Sequence, residues 1–178
     1  MKISDEIFDL FARRGREAYF GEPVSQLEHA LQTAHKAELA GVTGSLIVAA
    51  LLHDIGHLLH RLPEDVADRG VDGRHELIGA AWLAKGFGEE VTEPIRLHVA
   101  AKRYLCGMNK EYFDRLSFAS KQSLVLQGGP MNESEVREFE ASSYSREGLL
   151  VRQWDDTAKE VGLKVPELSY YQTFLKNM

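Results

Sequence analysis

The stretch Ala49-Ala50-Leu51-Leu52-His53-Asp54-Ile55-Gly56-His57 constrains this chain more than any other. Read as a helix, the run from Leu46 to Leu52 is apolar on nearly every face, which puts it in the middle of a fold. Ionisable side chains at the end of such a helix cost several kcal/mol unless they are paired or bound to a metal. Adjacent helix positions diverge by about 100°. His53 can therefore meet one ion head-on while Asp54 divides its two oxygens between that ion and a neighbour. His57, one turn beyond His53, is close enough to contact a substrate or the outer face of a ligand. For an isolated His-Asp pair a hydrogen-bonded core couple is the commoner reading, and the rest of the chain is what shifts it.

The chain has 178 residues, enough for one domain with a real core. Its 21 basic against 27 acidic residues give a formal charge of −6, which argues against nucleic acid as a partner while allowing a local cationic pocket. No apolar stretch reaches the roughly 20 residues that span a bilayer, so no membrane partner is expected. Met1-Lys2-Ile3-Ser4-Asp5-Glu6 is not a signal peptide. A single cysteine, Cys106, excludes an internal disulfide framework and fits a reducing cytoplasm. With no partner to activate it, Cys106 reads as a packing residue.

Periodicity and breakers predict an all-α bundle. A short amphipathic helix covers Ile3 to Gly15, and Gly21 and Pro23 make a loop after it. Ser25 with Glu28 forms a capping box for a helix that stops at Gly41. The central helix starts near Thr43 or Ser45, and Gly56 inside it, costing about 1 kcal/mol relative to Ala, marks close approach of a backbone or ligand. Arg61 to Gly73 reads as a loop or flap over the site. Helices follow from about Arg74 to Lys85, from Pro94 to about Leu105, in two pieces from Lys110 to Gln127, from Asn132, and from Ser145 to Val161. The tail from Pro166 docks as a short helix. The expected organisation is a core of about 24–160, an N-terminal segment 1–23 covering the site, and a docking tail 161–178.

Of seven histidines, His29, His53, His75 and His98 fall on separate predicted helices in apolar company, whereas His35 and His60 read as surface or interhelical. With Asp54 and an acid on the late helix, Asp155 or Asp156, these make a donor set suited to two octahedral ions sharing a carboxylate. Imidazole and carboxylate without thiolate favour iron, manganese or a similar ion over structural zinc.

His29, the pair His53-Asp54 and the late Asp155 resemble the four-ligand signature of the HD-domain superfamily, and His75 and His98 resemble its dinuclear branch. The stretches Tyr19-x-x-Glu22-Pro-Val-Ser-Gln-Leu-Glu-His29, His53-Asp54-Ile-Gly-His57 and Leu124-Val-Leu-Gln-Gly-Gly-Pro-Met131 carry the likeness further. They resemble the mixed-valent diiron oxygenases that cleave the carbon–phosphorus bond of hydroxylated aminoethylphosphonates, from about Tyr19 to Asp155. The resemblance implies an HD-domain helical bundle with two irons, Fe(II) and Fe(III), and dioxygen as co-substrate. One iron would take His29, His53, Asp54 and Asp155, the other Asp54, His75 and His98. The products would be phosphate and an amino acid, glycine when the substrate is 2-amino-1-hydroxyethylphosphonate, or an N-methylated analogue.

A phosphonate wants convergent donors. Arg152 offers a guanidinium fork, Lys102 a point charge one turn from His98, and the resemblance adds the Ser120 hydroxyl. It also implies that Glu22 receives a substrate ammonium and that Tyr19 covers the site or binds iron until substrate arrives. His57 would hydrogen-bond the substrate hydroxyl or amine. The competing expectations are an HD phosphohydrolase acting on a phosphate ester through metal-activated water, a polyol oxygenase, and a non-catalytic metal- or ligand-binding regulator.

Overall fold

The computed structural model describes residues 2–19, 21–59, 71–176 and 178, and among these the regular structure is helical with one isolated β-bridge, Ala18 to Ser25. In chain order the helices are α1 (Ile3–Arg14), α2 (Gln26–Leu39), α3 (Gly44–Leu52), α4 (Ile55–Leu59), α5 (His75–Leu83), α6 (Glu89–Met108), α7 (Lys110–Arg115), α8 (Phe118–Leu126), α9 (Glu133–Glu140), α10 (Ser145–Thr157) and α11 (Gln172–Lys176). The all-α expectation holds. No helix of the described residues is long and apolar enough to cross a membrane.

α3 is the axis. Every residue from Leu46 to Leu52 is buried, and its neighbours are α2, α6, α10 and α11. Each fully buried Leu or Ile there contributes about 1.5–3 kcal/mol. α10 packs most extensively on α6, where Gly148 lets the Leu97 side chain come within 2.8 Å of the site a Cβ would occupy. Tyr171 and Leu175 bury the C-terminal tail against the same core. Cys106 is buried beside Leu116 and Leu124.

Three predicted boundaries move. The central helix breaks at His53 and Asp54, and α4 restarts at Ile55 after His57 N–H returns to the Asp54 carbonyl at 2.9 Å. α6 begins at Glu89, not at Pro94. Pro94 sits inside it, forfeiting one ladder bond near an end where Gly88 C=O already accepts from Val91 and Thr92. α10 ends at Thr157 because the carbonyls that follow turn to α2: His29 Nδ1 donates to Ala158 O at 2.9 Å and Gln32 Nε2 to Glu160 O at 2.8 Å. The flap expected over 61–73 falls, for 61–70, outside the described residues, as does His60. His35 is half-buried beside Glu38.

Candidate metal centre

Six donors reach one point from five helical segments. His29 lies in the second turn of α2, whose start is set by the capping box: Glu28 N–H donates to Ser25 Oγ at 3.2 Å and Ser25 N–H to Glu28 Oε2 at 2.7 Å. His53 caps α3 and Asp54 occupies the break after it, so both side chains face the same centre instead of diverging around a continuous helix. His75 opens α5, His98 lies in the middle of α6, and Asp155 sits in the last turn of α10. All are buried.

The donor atoms form two groups that share Asp54. His29 and His53 bring their Nε2 atoms to 3.1 Å of each other, and so do His75 and His98. Asp54 Oδ2 lies 3.5 and 3.3 Å from the first pair. Asp54 Oδ1 lies 3.1 and 3.4 Å from the second. Asp155 Oδ1 completes the first group, 3.4 Å from His29 Nε2.

The far side of each ring settles which lone pairs converge. The Nδ1 atoms of His29, His53 and His98 donate to the carbonyls of Ala158, Ala50 and Ile95 at 2.9, 2.8 and 2.7 Å. That fixes the proton on Nδ1 and turns the Nε2 lone pairs inward. His75 Nδ1 faces the buried Glu76 carboxylate at 3.6 Å. Two imidazole lone pairs facing each other at 3.1 Å repel unless a proton or cation lies among them. Asp54 Oδ2 is buried with no hydrogen-bond partner, a costly state that a cation would relieve. The residues present thus fit a pair of cations bridged by Asp54.

The charges agree. Burial works against ionisation of Asp54, yet His53 and the other imidazoles hold its carboxyl well below the usual range. Asp155 is likewise held low despite burial, by Arg152 and then His29. Burial opposes a charge on His53, but Asp54 and Asp155 carry it up to about 9. His98 goes the other way, lowered by burial and by its imidazole neighbours.

The second group depends on a tight crossing of α4 and α5. A Cβ on Gly56 would stand 2.0 Å from the His75 carbonyl oxygen, and one on Gly79 would stand 3.2 Å from the Gly56 nitrogen. Arg74, just before His75, takes a left-handed conformation (φ 45°) that non-glycine residues rarely adopt.

Beside the donors opens a cavity of about 430 Å³. It receives His57, whose ring stacks on His75 at 3.9 Å, together with Lys102, Ser120 and Arg152. Burial lowers Lys102 to about 7, with Arg152 adding to the effect and Asp155 opposing it. Lys102 Nζ donates to Ser123 Oγ at 2.9 Å. Three of the five Arg152 N–H donors are engaged: Nη1 with Asp155 at 2.8 Å, Nη2 with Asp156, and Nε with Tyr112 Oη at 3.1 Å. Tyr19 stacks on His29 at 3.9 Å and its hydroxyl donates to Asp155 Oδ1 at 3.4 Å. Burial and then Asp155 and Asp54 raise that phenol well above its usual value. Glu22 receives Lys159 Nζ at 2.9 Å.

Every residue expected at the site borders the donors or this cavity. Sequence reasoning missed Glu76, Tyr112, Ser123 and Lys159. Glu76 had a usable signal, a carboxylate directly after a histidine opening a helix. Ser123 had another, since it lies one helical turn after Ser120.

Residues 27–158 match the HD domain family. Over 168 residues the chain is 49% identical to a hydroxymethylphosphonate dioxygenase from Gimesia maris, covering 94% of this chain and 83% of that one. Over 176 residues it is 43% identical to the 1-hydroxy-2-(trimethylamino)ethylphosphonate dioxygenase (glycine-betaine-forming) of Leisingera caerulea, covering 99% of this chain and 90% of that one. An uncharacterized protein of Acanthamoeba polyphaga mimivirus is 38% identical over 172 residues, or 95% of this chain and 78% of that one.

Proposed function

This chain belongs to the HD-domain family, in its branch of phosphonate dioxygenases, and from that premise we propose that it cleaves the carbon–phosphorus bond of a 1-hydroxyalkylphosphonate with dioxygen. The reaction balances without an outside reductant. The hydroxyphosphonate dianion and one dioxygen give a carboxylate, hydrogen phosphate and a proton; the carbinol carbon is oxidised and dioxygen is the oxidant. Two iron ions in mixed-valent form, one held by His29, His53, Asp54 and Asp155 and the other by Asp54, His75 and His98, would supply one-electron chemistry with dioxygen and Lewis acidity toward the substrate oxygens.

The protein's own part is orientation and charge. Lys102 and Arg152 present positive charge to the phosphonate oxygens, with the Ser120 hydroxyl as a further donor. His57, 4.0 Å from Asp54 Oδ1 through its Nε2, is placed to hydrogen-bond the substrate hydroxyl at the edge of the donor set. Tyr19, stacked over His29, covers the centre from the loop side and excludes water. The lone cysteine agrees with a cytoplasmic setting.

The observation that carries this reading is Asp54, with one oxygen at each imidazole pair and a cationic recess next to it. The test is anaerobic iron loading, then exposure to dioxygen with candidate hydroxyphosphonates, following phosphate release and oxygen uptake together. Equal amounts of each are expected. Turnover of phosphate monoesters without oxygen uptake would put a phosphohydrolase in its place. Neither activity in a fully iron-loaded chain would favour the regulator.

A further inference from the structure

α5 begins inside out. Its second residue, Glu76, is 7% exposed, while the two that follow, Leu77 and Ile78, are 41% and 37% exposed. A helix start that buries its acid and turns its large apolar side chains to solvent reverses the usual partition. Burying a carboxylate is costly unless it meets a partner. Glu76 Oε2 is buried and accepts no hydrogen bond. What it faces is His75 Nδ1, 3.6 Å away.

The backbone holds the two residues in this relation. Arg74 N–H donates to Asp72 Oδ1 at 3.1 Å, and the Arg74 carbonyl accepts from Leu77 and Ile78 N–H, each at 3.1 Å. The His75 ring is fixed by its stack on His57 and by Nε2 lying 3.1 Å from Asp54 Oδ1, which leaves Nδ1 to the Glu76 side. The other three imidazoles have neutral carbonyls behind them, and His75 alone has a carboxylate. The charges of the two donor groups differ in the same sense. Asp155 of the first group is matched by Arg152 at 2.8 Å, whereas no arginine or lysine pairs with Glu76 among the described residues.

Resting on the paired-iron reading of this centre, we infer that Glu76 is the carboxylate behind the second ion: it accepts the His75 Nδ1–H and lends, through the ring, negative charge to a group whose only carboxylate is shared. An imidazole that gives its Nε2 lone pair to a cation becomes a stronger Nδ1 donor, and a carboxylate on that proton makes the ring a more basic ligand. A 3.6 Å separation is long for a hydrogen bond, and ion binding supplies the pull that closes it. The carbonyls behind His29, His53 and His98 fix orientation without adding charge. Glu76 touches no substrate; it is a positioning residue that acts through His75.

The experiment uses the full chain. Anaerobic titration with Fe(II) resolves the two binding events, and a redox titration followed by electron paramagnetic resonance gives the midpoint between the mixed-valent and diferrous pairs. Glu76→Gln keeps the shape and an acceptor oxygen but removes the charge. It should weaken the second ion by about 10–100-fold while the first binds as in the wild type. It should also make the pair easier to reduce, raising the midpoint by about 59 mV for each tenfold loss of preference for Fe(III) over Fe(II). Glu76→Asp, which retains the charge, should lie between the wild type and Glu76→Gln in both readings. A second-ion affinity equal to the wild type's, an unmoved midpoint, or equal weakening of both ions overturns the inference; the last would leave Glu76 as an acid that only favours the start of α5. Two ions bound without phosphonate turnover, the second weakened in Glu76→Gln, would retire the oxygenase reading and keep the inference. Turnover with an indifferent Glu76→Gln would do the reverse, and fewer than two ions in the wild type would sink both.

Discussion

Arg152 and Lys102 border the same recess but do unlike things. Arg152 Nη1 holds Asp155 at 2.8 Å, so truncation to Ala leaves a buried carboxylate without its main counter-charge. Breaking one partner of such a pair costs about 3–5 kcal/mol. Lys102 Nζ instead donates to the Ser123 hydroxyl at 2.9 Å. Lys102→Ala should therefore keep its iron and lose phosphonate affinity, whereas Arg152→Ala should lose iron as well, both read by metal analysis beside KM. His75→Ala and His98→Ala should drop iron from two per chain toward one, because each removes an imidazole from the group that has only Asp54 as its carboxylate; two irons retained would refute that division. Lys102 also predicts a pH effect. Burial holds it at about 7, and a phosphonate dianion against it pushes it upward. Above about pH 7 binding must then draw a proton from solvent, so affinity falls as pH rises. Calorimetry at about pH 8 in buffers of differing ionisation enthalpy should find proton uptake close to one for the wild type. Lys102→Met should abolish it, and equal uptake in both would disprove the assignment.

At the scale of elements, the site depends on α4 and α5 crossing with almost no side chain between them. The 2.0 Å approach of the His75 carbonyl to the Gly56 Cβ position means that Gly56→Ala must push α5, and His75 with it, away from Asp54. Overpacking of this kind costs about 1–3 kcal/mol, or roughly 2–12 °C in Tm for a chain of this size. Iron should fall preferentially in the second group; a variant with full iron and unchanged Tm would show that the crossing has slack. Gly56 was legible as a close approach because a glycine inside an apolar helix is unfavourable without a reason. The break at His53 and Asp54 was not legible, since both residues carry helix-compatible patterns and only the need to face one centre separates α3 from α4. Asp155 and Asp156 differ by one position, and periodicity alone leaves them open. The structure turns Asp155 to His29 and Asp156 to Arg152 and Tyr112. Lys159 on Glu22 was invisible for another reason: a contact spanning 137 positions leaves no local pattern in either segment.

For the whole molecule, the metal centre is also the place where the bundle is tied. α2, the α3–α4 junction, α5, α6 and α10 each contribute a donor, and the apolar axis they surround ends at those donors. The helices were legible in the sequence because burial of α3 demands apolar residues on all faces, and the histidines were legible as intruders in that pattern. Their convergence was not, because it is a property of packing angles. This arrangement makes ion binding and folding one equilibrium. Without cations, converging imidazoles and buried carboxylates must be satisfied by protons and by one another; with cations, the same groups become cross-links between helices distant in sequence. An ion present at about 1,000 times its Kd adds about 4 kcal/mol to the folded state. Removing one should therefore lower Tm by about 8–16 °C in a chain of this size, and removing both should lower it further. Calorimetric scans of the iron-loaded chain with and without a strong chelator should show that loss, reversed on reloading. In Asp54→Asn the loss should already be present before chelation, since no other carboxylate faces both imidazole pairs among the described residues. An unchanged Tm after complete removal of iron would mean that the helices hold the donors together unaided, and that the centre contributes chemistry without contributing to the fold.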